Sequence, residues 1–153
     1  AANYLKPKES PDAWVVEVVN TMKTGDCDKL EKLLTSFFAS IPYSQRRKDD
    51  EREKERYFQY TFYLVIRMIS SFTVLIEKEQ SEGRVDCIIE TPMFVYIFEF
   101  KRDGSATEAL KQIEEKGYAR EYATDNRTIY LIGCNFSSKT GTIDDWKSKG
   151  KSV

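Results

Sequence analysis

Two carboxylates and an amine stand out in this chain: Asp86, Glu99 and Lys101, all in runs that otherwise read as β-strand. In Phe94 to Lys101 (FVYIFEFK), alternation puts Phe94, Tyr96, Phe98 and Phe100 on one face. Val95, Ile97, Glu99 and Lys101 fall on the other. Burying either charge alone is costly, so the two must pair, bind a metal or face a cleft. The preceding run repeats the pattern, with Asp86 sharing a face with Ile88 amid Val85, Cys87 and Ile89. Where the two faces coincide, Asp86 and Glu99 converge. Two hard oxygen ligands, a backbone carbonyl and waters make a Mg²⁺ site, with Mn²⁺ as the alternative ion. Such an ion lowers the pKa of a bound water and stabilises charge on a phosphoryl oxygen. Lys101 would orient the attacking water or stabilise the developing charge, and in-line attack on phosphorus would expel the 3′ oxygen. The same residues also suit a plain carboxylate–lysine pair that only stabilises the sheet.

The rest of the composition narrows the chemistry. The chain contains no histidine, which excludes Ser-His-Asp and Cys-His triads, histidine-ligated zinc and histidine general bases. Cys27, Cys87 and Cys134 form no CxxC pair and no zinc-ligand spacing, and are expected as free thiols in a reducing cytoplasm. No apolar run approaches the roughly 20 residues needed to span a bilayer, so no membrane partner is expected. A formal net charge of -1 gives no global field toward nucleic acid. With 153 residues, 41% of them hydrophobic, the chain suits one compact domain with a small annex. It begins at Ala1 without an initiator Met, as a piece of a longer protein would.

The elements that must position the three residues follow from periodicity. Ser10, Pro11 and Asp12 read as a helix start, and Trp14, Val15, Val18, Val19 and Met22 recur at helical spacing up to Gly25. Asp26 caps a second helix, with Leu30, Leu33, Leu34, Phe37 and Phe38 as its stripe, and Pro42 ends it. The charged stretch from Gln45 to Arg56 leads into an amphipathic helix from Tyr57 to about Ile69. Strands are expected over Phe72–Glu79, Arg84–Thr91, Phe94–Lys101 and Arg127–Asn135. Between the last two, Ser105 and Glu108 form a capping box opening a helix through about Lys116. Gly117 breaks that helix, and Tyr118–Tyr122 continues it briefly. The order predicts an α/β fold with a mixed four-stranded sheet flanked by helices, its last strand parallel to a neighbour. Residues 1–45 are expected as a helical hairpin annex, 46–146 as the core and 147–153 as a mobile tail.

Three strings together resemble the PD-(D/E)XK nuclease superfamily: Gly83-Arg-Val-Asp86, Tyr96-Ile-Phe-Glu99-Phe-Lys101, and Ala109-x-x-Gln112-Ile-x-x-Lys116-Gly117-Tyr118. They most resemble the branch found C-terminal to an AAA-ATPase-like domain in bacterial proteins, which Ile41-Pro42-Tyr43 and Gly133-x-Asn135-Phe136-Ser137-Ser138 also fit. The resemblance covers roughly residues 20 to 146 and implies a restriction-endonuclease-like core. It implies Asp86 and Glu99 as metal ligands, with Glu55 as a further contributor, and Lys101 as the catalytic lysine. Gln112 matches a helix position that lines the site, near Tyr118. Arg84 and Tyr118 are the expected substrate-binding residues. Val85 stands where the named motif has proline, a position that does not touch the chemistry.

The expected function is a Mg²⁺-dependent phosphodiesterase acting on DNA without strong sequence specificity, with RNA or nucleotide hydrolysis as a further alternative, since nothing in the chain separates DNA from RNA. Between Arg84 and Tyr122, six basic residues meet eight acidic ones, and no base-reading motif appears. The alternative is a catalytically silent interaction or regulatory module serving an AAA-ATPase-like domain of the same longer protein. The chain itself has no Walker-type loop.

Overall fold

The structure, a computed structural model, describes residues 11–40, 75–77 and 86–151. The expected helix from Tyr57, and the charged stretch before it, lie outside the described residues.

Helix α1 (Pro11–Thr24) and helix α2 (Cys27–Ser40) form the expected hairpin. Val15, Val18, Val19 and Met22 of α1 are buried, as are Leu30, Leu34 and Phe38 of α2. Gly25 ends α1 at φ +77°, a left-handed conformation that costs glycine little. Asp26 starts α2, its Oδ1 accepting the Lys29 amide at 3.0 Å. Trp14 stacks on Phe37 with ring centroids 4.6 Å apart, and its indole N–H donates to the Leu33 carbonyl.

Among the described residues, the hairpin covers a five-stranded sheet in the order β1-β2-β3-β4-β5. Its strands are β1 (Leu75–Glu77), β2 (Asp86–Glu90), β3 (Phe94–Arg102), β4 (Thr128–Ser137) and β5 (Thr142–Lys151). β3 and β4 run parallel, as the helical crossover between them requires, and every other pair is antiparallel. The crossover is α3 (Ala106–Lys116) followed by a 3-10 turn (Tyr118–Tyr122). Ser105 caps α3 by accepting the Glu108 amide at 3.1 Å, and Gly117 closes it by donating to the Ile113 carbonyl.

The mixed sheet flanked by helices was expected; its fifth strand was not. Lys147 to Lys151, placed by sequence in a mobile tail, pair with Ile129 to Gly133 of β4. Within Thr142–Lys151 only Ile143 and Trp146 are strongly apolar, so the segment carries little strand pattern of its own. Its β conformation comes from the β4 edge it covers.

Two apolar layers sandwich the sheet. On one face Tyr96, Phe98, Phe100, Ile132, Cys134 and Phe136 pack on α1 and α2. On the other Ile88, Val95, Ile97, Ile129 and Leu131 pack on Ile113 of α3 and Tyr122. Alternation along β3 thus divides its side chains as expected, and Glu99 lies on the α3 face.

Candidate active site

Glu99 sits near the end of β3 with 0% of its surface exposed. Its Oε1 accepts a 2.8 Å hydrogen bond from Lys116 Nζ at the end of α3. Its Oε2, equally buried, has no hydrogen-bond partner among the described residues. An unsatisfied buried acceptor costs about 1–3 kcal/mol, more where the group is charged, and is uncommon in folded proteins. It is the atom a hard cation would take.

The backbone places Asp86 directly opposite Glu99 in the antiparallel β2–β3 register. Lys101 follows Glu99 by two residues and shares its face by alternation; it is half-buried, and its Cα partner on β4 is Asn135. Gln112 is half-buried on α3, one helical turn before Lys116 and on the same side of the helix. Tyr118 is half-buried in the 3-10 turn, with Lys116 Nζ 5.7 Å from its ring centroid. The fold therefore brings the backbone positions of Asp86, Glu99 and Lys101 to one end of β2 and β3, with the helix that bears Gln112 packed on β3 and β4. Arg84 and Glu55 lie outside the described residues.

Helix α3 owes its place over Glu99 to a gap in the sheet. Gly133, the Cα partner of Glu99 on β4, lies under the helix. A Cβ there would come within 2.3 Å of the Ala106 carbonyl oxygen and 2.7 Å of the Leu110 amide nitrogen. Absence of that atom lets the helix backbone rest on the strand.

The turn joining β3 to α3 is pinned by polar groups from β4 and β5. Asn135, 3% exposed, accepts the Gly104 amide at 2.8 Å and donates to Asp144 Oδ1 at 2.8 Å. Asp145 accepts the Ala106 amide at the start of α3. Asp103, in a left-handed conformation at φ 55°, accepts from both the backbone and the hydroxyl of Ser138. These contacts fix the strand end that carries Lys101 and the helix start that leads to Lys116. At the other end of the sheet, Arg127 clamps Asp125, Glu90 and the Thr91 carbonyl. Hydrogen bonds from Arg127 hold the Asp125 carboxyl at about 2.

Sequence reasoning assigned no role to Lys116, Asn135 or Arg127. For Lys116 a signal was present, since Gln112 and Lys116 are i,i+4 on the helix that crosses above Glu99. The thiols offer no rival chemistry. Burial raises Cys27 to about 11 and pushes Cys134 well above its ordinary value, so neither is a ready thiolate at neutral pH. Among the described residues, no three carboxylate, thiol or imidazole groups cluster to hold a metal by themselves. Among them too, no helix is long and apolar enough to cross a membrane.

A family model for the PD-(D/E)XK nuclease superfamily matches residues 53–146, and the chain belongs to that superfamily. Its α/β architecture is consistent with the restriction-endonuclease-like fold. The chain is also 32% identical over 142 residues to a protein of Azotobacter chroococcum mcd 1, described as an uncharacterized protein in the vnfD 5′ region. That match takes in 92% of this chain but 27% of its relative, so the chain spans about a quarter of that protein's length. No solved structure matches the chain.

Proposed function

We propose that the chain is a Mg²⁺-dependent nuclease domain that hydrolyses phosphodiester bonds, with DNA as its substrate and without strong sequence preference. The single observation that carries this reading is the fully buried Glu99 carboxylate, one oxygen of which has no partner among the described residues, opposite Asp86 in register. Buried polar atoms are almost always satisfied, and a cation would satisfy this one.

Asp86 and Glu99 would hold the cation, with Glu55 as a further contributor. Backbone carbonyls and water would complete its coordination, as is usual for Mg²⁺. When bound, Mg²⁺ or Mn²⁺ supplies Lewis acidity toward a phosphoryl oxygen and makes water a better nucleophile. Lys101 places a positive charge on the same face, where it stabilises negative charge developing on the phosphate. Gln112 lines the site from α3 and orients water or phosphate through its amide. Tyr118 and Arg84 contact the substrate strand at the margin. Superfamily membership supports these roles, and the register of Asp86 with Glu99 is what the first of them requires.

The chain acts in this reading as one part of a longer cytoplasmic protein that also carries an AAA-ATPase-like domain. The length of the Azotobacter relative, of which the chain covers 27%, supports a longer protein. A second reading is a catalytically silent nuclease fold that docks or regulates the ATPase part.

Plasmid nicking with Mg²⁺ or Mn²⁺ separates the two. Lys101→Ala and Asp86→Ala are each expected to lower nicking by at least about 10²-fold. Nicking unchanged by either substitution, or none by the wild type, overturns the enzymatic reading.

A further inference from the structure

Lys116 takes no part in the chemistry described above, yet its ammonium touches the central carboxylate. We propose that Lys116 is a positioning residue, whose bond to Glu99 Oε1 reserves Oε2 for the divalent cation. The inference rests on the metal-site reading of Glu99 given above.

Three features support it. The first is asymmetry: Oε1 lies 2.8 Å from Lys116 Nζ, while Oε2, on the same fully buried group, has no hydrogen-bond partner among the described residues. An ion pair evolved only for stability would lose by leaving one buried oxygen unsatisfied. A carboxylate fixed through one oxygen and open at the other is how an outer partner orients a metal ligand. The second is rigidity. Lys116 is the last residue of α3, whose N-terminus is capped by Ser105 and whose C-terminus is closed by Gly117. The helix is seated on β4 at Gly133, beside Glu99. The third is the setting of the ammonium. It lies 5.7 Å from the Tyr118 ring centroid, and the lysine side chain is 21% exposed. A head group so placed reaches Oε1 from the partly exposed end of the helix.

The opposite arrangement is also testable. Were the ammonium a stand-in that excludes the cation, its removal would tighten metal binding.

The experiment is calorimetric titration of Mn²⁺ into the full chain, with metal-free melting of each variant as a fold control. Wild type is compared with Lys116→Ala, Lys116→Met, Lys116→Arg and Glu99→Gln. Lys116→Met keeps most of the side-chain bulk without the ammonium and stands in should Lys116→Ala not fold. Loss of the ammonium is expected to weaken Mn²⁺ about 10- to 100-fold. Lys116→Arg recovers most of that loss, and Glu99→Gln abolishes binding. In turnover, the metal concentration for half-maximal rate should rise far more than kcat falls at saturating Mn²⁺. Wild-type or tighter Mn²⁺ affinity in folded Lys116→Ala or Lys116→Met overturns the proposal alone, provided Glu99→Gln still abolishes binding. A wild type that binds no Mn²⁺ overturns the metal-site reading beneath it.

Discussion

The two faces of β3 begin from the same backbone and end in opposite states. On the hairpin face, Tyr96, Phe98 and Phe100 are buried among aromatic and aliphatic neighbours. Phe98 and Phe100 stack at 5.8 Å, and Trp146 meets Phe98 edge-on. The Tyr96 hydroxyl there is provided for: it donates to the Met22 carbonyl at 2.7 Å, and burial keeps that phenol protonated. On the α3 face, one residue further along than Phe98, Glu99 is as deeply buried but retains an oxygen with no partner among the described residues. The first face is complete as it stands. The second carries an unmet polar requirement beside a pinned strand end and a seated helix. Burial alone therefore does not tell core from site; hydrogen-bond satisfaction does.

Substitutions on each face should separate stability from function. Phe98→Ala opens a cavity in the hairpin face and should cost about 3–5 kcal/mol of unfolding free energy. Its folded population should keep wild-type metal affinity, which denaturant melts and Mn²⁺ titration would check. A loss of affinity there would show the two faces to be coupled. Gly133→Ala acts from the other side by forcing a methyl against the α3 backbone. It should cost less, about 1–3 kcal/mol, yet lower metal affinity because α3 carries Lys116 and Gln112. An unchanged affinity would mean that the seat of α3 does not govern the site.

Much of the fold was legible because its signals are local. The α1–α2 hairpin follows from apolar spacing with a glycine stop and an aspartate cap, and β3 from plain alternation. Ser105 and Gly117 mark the ends of α3 by capping chemistry. The parallel β3–β4 pairing follows from the crossover between them. The placement of Glu99 on the α3 face came from the same alternation, and the β2–β3 register set Asp86 opposite it.

What stayed hidden depends on distance. β5 takes its conformation from the β4 edge. The Lys116–Glu99 bond joins residues 17 apart in sequence through a flexible side chain. Asn135 reads as one more strand residue until the β3–α3 turn folds back onto it. Arg127 binds a neighbour two residues away together with Glu90, 37 residues distant, which no periodicity encodes.

The most direct test of the central claim is anomalous diffraction from crystals of the full chain grown with Mn²⁺. A single Mn²⁺ peak is expected roughly 2 Å from Glu99 Oε2, with Asp86 as a second protein ligand and Lys116 still on Oε1. Absence of a peak at Glu99, or an Asp86 side chain on the hairpin face of the sheet, would contradict it.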